Sequence, residues 1–499
     1  MSKYTNDILA SVVVFLVALP LCLGISIASG VPPALGLITG VVGGLVVGFL
    51  SGAPLQVSGP AAGLAVLVWE LVRDHGIAAL GPVLVVAGVI QIVAGQLRVG
   101  QWFRAMSPAV VHGMLAGIGV LIFSSQFHVM LDDKPKPNGL ENLLSIPTAI
   151  FQGIFPIDGS KHELAALTGL VTITMLVLWE KFRPRGLRFL PGALVGVVAG
   201  SVMAGYFDLS VQFVKVPANL LDAVQLPGVD LVPKLMQSSV LITAFAVAFI
   251  ASAETLLSAA AVDQMHSGPR TDYDKELSAQ GIGNMLCGIV GALPMTGVIV
   301  RSSANVNAGA ETRLSTILHG IWILAFVVLF PGVLAMIPVC SLAAILVYTG
   351  CKLVNPDYVR RLLKYGKMPV AIYGATLVTI VATDLLTGVI VGVVLSLLKV
   401  LYKAARLKII LDLAPERGYA FLELEGAATF LSLPRLARIL DKLPPGTDLH
   451  VHIERLSYID HACMELLSNW ARQNEKTGSK LHVEWEALEQ RYHLEETPA

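Results

Sequence analysis

The stretch Leu293–Arg313, LPMTGVIVRSSANVNAGAETR, decides how this chain must fold. It lies between two long apolar runs, yet it carries Pro294, Gly297, several small polar residues and Arg301. Proline and glycine interrupt a helix, and a full charge in hydrocarbon is costly. Backbone left unpaired in lipid costs several kcal/mol per group, so a broken segment at membrane depth must line a cavity inside the protein. A half-helix that begins there points its free N–H groups and about half a positive charge into that cavity. Arg301 adds a full charge within a turn of that start. The alternative is an arginine that snorkels to an interface or pairs with a structural acid.

The rest of the composition fits a bilayer. The 499 residues are 55% hydrophobic and 14% charged, with a mean hydropathy of +0.72. A soluble chain carries about 25% charged residues. Apolar segments fall at about 8–29, 33–50, 57–72, 79–97, 106–128, 163–180, 189–206, 237–259, 276–292, 297–309, 314–337, 339–351, 368–383 and 386–405. The N-terminus MSKYTND has no cleaved-leader pattern, so the first run is expected to stay as a span. Loops with Arg98 and Arg104, Lys181–Arg188, Arg270 and Lys275, Lys352–Lys367 and Lys399–Lys408 alternate with poorer loops holding Arg73, Lys134, Lys136, Lys161, Lys215 and Lys234. The positive-inside rule then predicts fourteen segments with both termini cytoplasmic, in an inner or plasma membrane. Residues 408–499 hold 10 Lys+Arg and 15 Asp+Glu, a soluble composition. The predicted division is therefore a transmembrane domain over 1–407 and a cytoplasmic domain over 408–499.

Fourteen is twice seven, and an odd number per half forces the halves into opposite topology. The expected repeats cover about 1–210 and 230–407. Two segments look too interrupted to span as ordinary helices, and they are the third of each half. QVSGPAAG (Gln56–Gly63) opens one, and LPMTGVIVRSSAN (Leu293–Asn305) opens the other. Paired broken segments at matching positions point to a transporter site. Two half-helix starts facing each other suit an anion.

Three further features complete the candidate site. Glu254 lies in the apolar run AFAVAFIASAETLLSAAAVDQM (Ala244–Met265), with Ser252, Thr255 and Ser258 close by. A carboxyl in a low-dielectric cavity holds a proton readily, so Glu254 is the expected coupling site for a proton. The alternative is a permanent Glu254–Arg301 ion pair or a helix-packing group. In LPLCLGISIASGVPP, Pro20 and Gly24 are expected to break the first helix, with Cys22 and Ile25 flanking the gap; a mere kink is the other reading. His112 reads as a hydrogen-bonded core group, and Glu70 and Arg73 as water-facing residues at a segment end. The five cysteines are scattered and form neither a disulfide framework nor a metal site.

LPLCLGISIASGVPPALGL, SGPAAG, AETLLSAAAVDQM and above all DKELSAQGIGNMLCGIVGALPMTGVIVRSSANVNAGAETRLSTILHG (Asp274–Gly320) resemble the sulfate permease family of anion transporters. The resemblance covers the whole chain. It implies an all-α polytopic membrane protein of 14 transmembrane segments in a 7+7 inverted repeat, with core and gate domains, and a small cytoplasmic α/β STAS domain. It implies a homodimer. It places the anion between the starts of the third and tenth segments. On this sequence those positions are Cys22, Ile25, Ser58, Gly59, Ala61, Gly297, Val298, Ile299, Val300 and Arg301, with Glu254 beside them. The sodium-coupled bicarbonate members resemble this chain but carry an aspartate where Glu254 stands and a hydroxyl residue near Ile299, which shifts the expectation from sodium to proton. The tail resembles a STAS domain whose iDSSG turn reads IDHAC (Ile459–Cys463), without the commonly phosphorylated serine.

The expected function is a secondary active transporter, symporter or exchanger, of small anions: bicarbonate, sulfate or a C4-dicarboxylate such as fumarate. Two alternatives stand beside it: a nucleobase transporter of the same fold, and a membrane scaffold that recruits a soluble enzyme through the tail. No nucleophile–base pair, phosphate loop or metal-ligand spacing points to an enzyme, a cofactor or a nucleic-acid partner. His450 and His452 share a strand face near His461, but scattered surface histidines fit them better than a metal.

Overall fold

The computed structural model describes residues 3–103, 107–154, 162–184, 187, 190–215, 224, 237–414, 418–475 and 478–483. Arg104, Met106, Lys161, Arg185, Arg188, Phe189, Lys234, Glu484 and Trp485, on which some of the loop-charge and segment-boundary expectations fall, lie outside them. The chain packs as two compact units, Met1–Val393 and Val394–Ala499.

In the first unit a helix stands on every expected apolar segment. These are α1 (Lys3–Ala28), α2 (Pro33–Val42, continued by a π-turn Gly43–Val47), α3 (Ala65–His75), α4 (Leu80–Gln96), α5 (Pro108–Met130), α6 (Gly139–Ile154), α7 (His162–Phe182), α8 (Gly192–Tyr206), α9 (Ser238–Asp263), α10 (Tyr273–Ile289), α11 (Ile299–Asn307), α12 (Leu314–Leu329), α13 (Val339–Leu353), α14 (Lys367–Ala382) and α15 (Leu385–Ala404). Among the described residues, eight spans are long and apolar enough to cross a membrane. The helix α6 was not foreseen, because its apolar residues are spread among polar ones rather than run together.

The first helix is a correction. It runs unbroken through Pro20 to Ala28. A single proline removes one ladder hydrogen bond, and tertiary packing outweighs that loss here. Gly24 serves packing instead: a Cβ there would stand 3.3 Å from Leu346 Cδ1.

The two broken segments meet. Ser58–Pro60 (β1) and Met295–Gly297 (β2) pair antiparallel, with Ser58 opposite Gly297, Gly59 opposite Thr296 and Pro60 opposite Met295. Each strand then turns into a short helix, through a 3-10 turn at Ala62–Leu64 into α3 and directly into α11. The strand pair lies inside the apolar core, so its remaining polar groups need partners. Helix α10 supplies them from Glu276, Gln280 and Asn284, which recur every four residues on one face and are fully buried. Asn284 accepts from Met295 N at 2.7 Å and donates to its carbonyl at 3.2 Å. Gln280 donates to Ser58 Oγ at 2.6 Å and to Glu276 Oε1 at 2.9 Å. Glu276 Oε2 accepts from Ser51 Oγ at 2.5 Å and Ala53 N at 3.1 Å, which ties down the approach to β1. Thr39 accepts from Leu293 N at 2.9 Å, and Thr255 Oγ1 accepts from Gly297 N at 3.0 Å.

Beyond the end of α15, the described residues of the second unit form a sheet with two helices. Its strands β3 (Leu407–Ala414), β4 (Tyr419–Ala428), β5 (Asp448–His452) and β7 (Leu481–Val483) lie in that order, and β6 (Leu456–Ile459) pairs with β4. All pairings except β3 with β4 are parallel. Helices α16 (Leu433–Leu440) and α17 (His461–Asn474) bury Leu436, Leu440, Leu467 and Trp470 against it. The altered IDHAC turn still starts a helix, because Asp460 accepts from Cys463 N at 2.9 Å as an N-cap. His450 stacks on His482, with ring centroids 4.5 Å apart, and lies tilted against Phe421 at 5.4 Å. Among the described residues no three His, Cys, Asp or Glu side chains converge as metal ligands.

Burial pushes the Cys463 thiol up to about 12, and the Asp460 carboxylate beside it acts in the same direction. Only a thiolate alkylates, so the native protein should leave Cys463 unmodified near pH ~8 and react there once denatured. Mass spectrometry reads the outcome; full labelling of the native chain at this site would contradict the packing.

Candidate functional site

The starts of α3 and α11 are near-copies of each other. Ala61 precedes the 3-10 turn that leads into α3, with φ −93° and ψ 120°, and Val298 precedes α11 with φ −97° and ψ 116°. Neither side chain can accept a hydrogen bond, so neither helix start is capped by its own N-cap residue. Both therefore keep first-turn N–H groups and the positive end of the helix dipole available.

Arg301 stands in the first turn of α11 and is fully buried. Its Nε, Nη1 and Nη2 have no hydrogen-bond partner among the described residues. The guanidinium lies against Gly59, where a Cβ would overlap Nη1 and stand 3.1 Å from Cζ. It also lies within electrostatic reach of the Cys22 thiol on α1 and of His319 on α12. A buried guanidinium offers five N–H donors, and leaving them unmet in an apolar surround is expensive. An acceptor placed here would meet these donors.

Glu254 lies at the other half-helix start. Its carboxyl meets the Thr296 hydroxyl and abuts Gly63, in the 3-10 turn that opens α3. An ionised Glu254 is therefore a built-in anion at the positive end of a half-helix. Glu254 and Arg301 form no ion pair, which removes the permanent-pair alternative.

The expected site residues divide between two roles. Gly59, Cys22 and Arg301 come together, and Ala61 and Val298 begin the two half-helices. Gly297 pairs with Ser58, and its missing Cβ makes room for the Gln56 amide. The Ser58 hydroxyl takes the opposite face of its strand from Gly59 and meets Gln280. Ile25 is part of the apolar core, while Ile299 and Val300 are 40% and 44% exposed. Away from the site, His112 is not a hydrogen-bonded core group; it stacks on Tyr358 with ring centroids 3.3 Å apart. Arg73 is exposed as expected, but Glu70 is half-buried against a cavity.

The residues missed from sequence are those that hold the strands: Glu276, Gln280, Asn284, Thr39, Gln56 and Ser302. The Ser302 hydroxyl oxygen accepts from Val57 N at 2.9 Å. A signal for three of them was present, since Glu, Gln and Asn at four-residue spacing make one polar stripe on an otherwise apolar helix.

Fold and site together define a class: an integral membrane transporter in which two broken segments face each other across an anion-attracting centre. The chain belongs to the sulfate permease family, whose match spans residues 4–376. It is 28% identical over 405 residues to the putative sulfate transporter YvdB of Bacillus subtilis, covering 79% of this chain and 73% of that protein. It is 25% identical over 412 residues to the bicarbonate transporter BicA of Picosynechococcus, covering 78% of this chain and 68% of that one. The transmembrane domain of a cyanobacterial BicA superposes with a TM-score of 0.65 at 25% identity, covering 79% of this chain and 98% of that one. SLC26A9 shares the fold over 96% of this chain and 84% of its own, with a TM-score of 0.75 at 15% identity.

Gly59 and Gly63 are where side chains are excluded from the site. Gly59→Ala should displace the guanidinium and Gly63→Ala the Glu254 carboxyl, each at about 1–3 kcal/mol of strain. Gly205→Ala, with nothing within 4 Å, serves as the neutral control. Thermal unfolding and anion-affinity measurements on the three proteins check this. Equal behaviour of all three would show that the glycines impose no such constraint.

Proposed function

We propose that the chain is a secondary active transporter of small oxyanions, in the sulfate and bicarbonate class, with C4-dicarboxylates such as fumarate as a wider possibility. The observation that carries this reading is Arg301: a fully buried guanidinium in the first turn of α11 and against Gly59, whose nitrogens have no hydrogen-bond partner meeting the usual geometry among the described residues. The sulfate and bicarbonate transporters among the similar proteins support the substrate class. The family match removes support from the nucleobase alternative, and so does a guanidinium where that reading calls for an acid.

The anion is held by Arg301 and by the first-turn amides of α3 and α11. The strand pair keeps both half-helix starts at a fixed spacing while the core domain moves against the gate domain. Coupling follows from the position of Glu254. An ionised Glu254 competes with the substrate for the positive end of α3, and a protonated one does not. Anion and proton therefore bind with positive linkage, which favours proton symport over sodium coupling. We assign 1–407 to transport and 408–499 to a cytoplasmic STAS domain that supports a homodimer or docks a soluble partner. Both termini are placed in the cytoplasm of an inner or plasma membrane.

Two outcomes are expected in proteoliposomes supplied with labelled sulfate or bicarbonate. Arg301→Ala should weaken anion affinity about tenfold to a hundredfold, the worth of a buried charge-assisted hydrogen bond, while the fold persists. Unchanged affinity would remove the guanidinium from the site. Glu254→Gln should transport at a rate indifferent to an imposed inward proton gradient, whereas the parent chain accelerates. If the variant keeps the acceleration of the parent, the proton travels elsewhere.

A further inference from the structure

A second site lies toward the other end of α3. A cavity of about 240 Å³ is bounded by the end of α1, by α3, by α5 and by the turn into α15. Glu70 on α3 and Asp384 at the start of α15 both line it. The charges that act on Glu70 are Asp384, Arg73 and Asp74. Arg73 is already held by both oxygens of Asp74, at 2.6 and 3.0 Å. The carboxylates of Glu70 and Asp384 thus share a cavity with no cation paired to either among the described residues. Lys136 lines the cavity too, with its backbone fastened by Asn142 at 2.7 and 2.9 Å, and its ammonium is not among the charges acting on Glu70.

An independent observation points to a ligand. Gln126 is 1% exposed, lines the same cavity, and leaves its carbonyl oxygen without a partner among the described residues. The walls between these acceptors are apolar: Ile27, Val66, Leu121 and Val129. Calcium would require six or more oxygens at about 2.3–2.6 Å, which two carboxylates and one amide do not provide, and among the described residues no three His, Cys, Asp or Glu side chains converge to hold a metal. An ammonium group carries three N–H donors.

We propose that this cavity binds a primary ammonium ion with a small apolar body, its three N–H donors shared among Glu70, Asp384 and the Gln126 carbonyl. The apolar body packs on the aliphatic wall. Helix α3 carries one half of the anion site, so an occupant ties that half to α5 and α15 and holds them together. This consequence for transport rests on the transporter reading; the binding itself does not.

The test uses the purified full-length protein with n-butylammonium chloride, and n-butanol and tetramethylammonium as controls. Butylammonium should raise Tm and bind saturably by calorimetry. Butanol, which lacks the charge, and tetramethylammonium, which lacks N–H donors, should each bind at least about tenfold more weakly. Glu70→Gln and Asp384→Asn should each cost about tenfold in Kd. Asp384 accepts from Thr387 N at 2.9 Å and from Thr387 Oγ1 at 2.6 Å, and asparagine keeps an oxygen for the backbone N–H, so the second variant keeps its helix start. Equal Kd in the parent and both variants, or butanol equal to butylammonium, overturns the site. External butylammonium should then inhibit labelled-anion uptake by the parent and not by Glu70→Gln; binding without inhibition overturns the link to transport. If the binding pattern holds in a protein that takes up no anion, the site stands and the transport reading falls.

Discussion

The antiparallel pairing of Ser58–Pro60 with Met295–Gly297 is the constraint on which the first unit depends. Two segments that cannot be helical along their length must cross an apolar interior, where every backbone N–H and C=O needs a partner. Three residues of each strand satisfy each other. The groups that remain are met by side chains of neighbouring helices, and those helices are thereby located relative to the strands. Helix α10 is held by Asn284 on Met295 and by Gln280 on Ser58. Helix α9 is held by Thr255 on Gly297. Helix α2 is held by Thr39 on Leu293.

The same pairing makes the site. By bringing the strands into register it sets the starts of α3 and α11 in equivalent positions, as the near-equal angles at Ala61 and Val298 record. It also distributes charge. The cation, Arg301, crosses from α11 to lie over Gly59 of the opposite strand, and the acid, Glu254, reaches Gly63 at the opposite half-helix. A cation at one start and a titratable acid at the other is an asymmetric arrangement on a symmetric frame. The symmetry sets two positive helix ends at equivalent positions. The asymmetry is what the proposed coupling of anion to proton rests on.

Much of this was legible in the residues. Segment positions followed from apolar run length, and the pairing of the third and tenth segments followed from odd repeats and matching interruptions. The α/β tail followed from its charge content and alternating strands. What escaped had physical reasons. Pro20 looks like a break, yet the helix continues because packing outweighs one lost hydrogen bond. Ser58 looks like a ligand to the anion, yet strand alternation turns it to Gln280 and leaves Gly59 facing the guanidinium. Glu276 stands among the polar residues that open α10, DKELSAQ, and its role depends on Ser51 and Ala53, more than two hundred positions away.

The sequence by itself determined that the chain crosses a membrane many times, that two segments are broken, and that one cation and one acid lie near those breaks. These follow from composition, period and the cost of charge in hydrocarbon, all of which act locally. Only the tertiary structure decided which glycine the guanidinium covers, that Glu254 and Arg301 stand apart instead of pairing, and that Glu70 and Asp384 share a cavity. Those outcomes depend on which backbones approach closely enough to exclude a Cβ, and that distance is set by contacts between residues far apart in the chain.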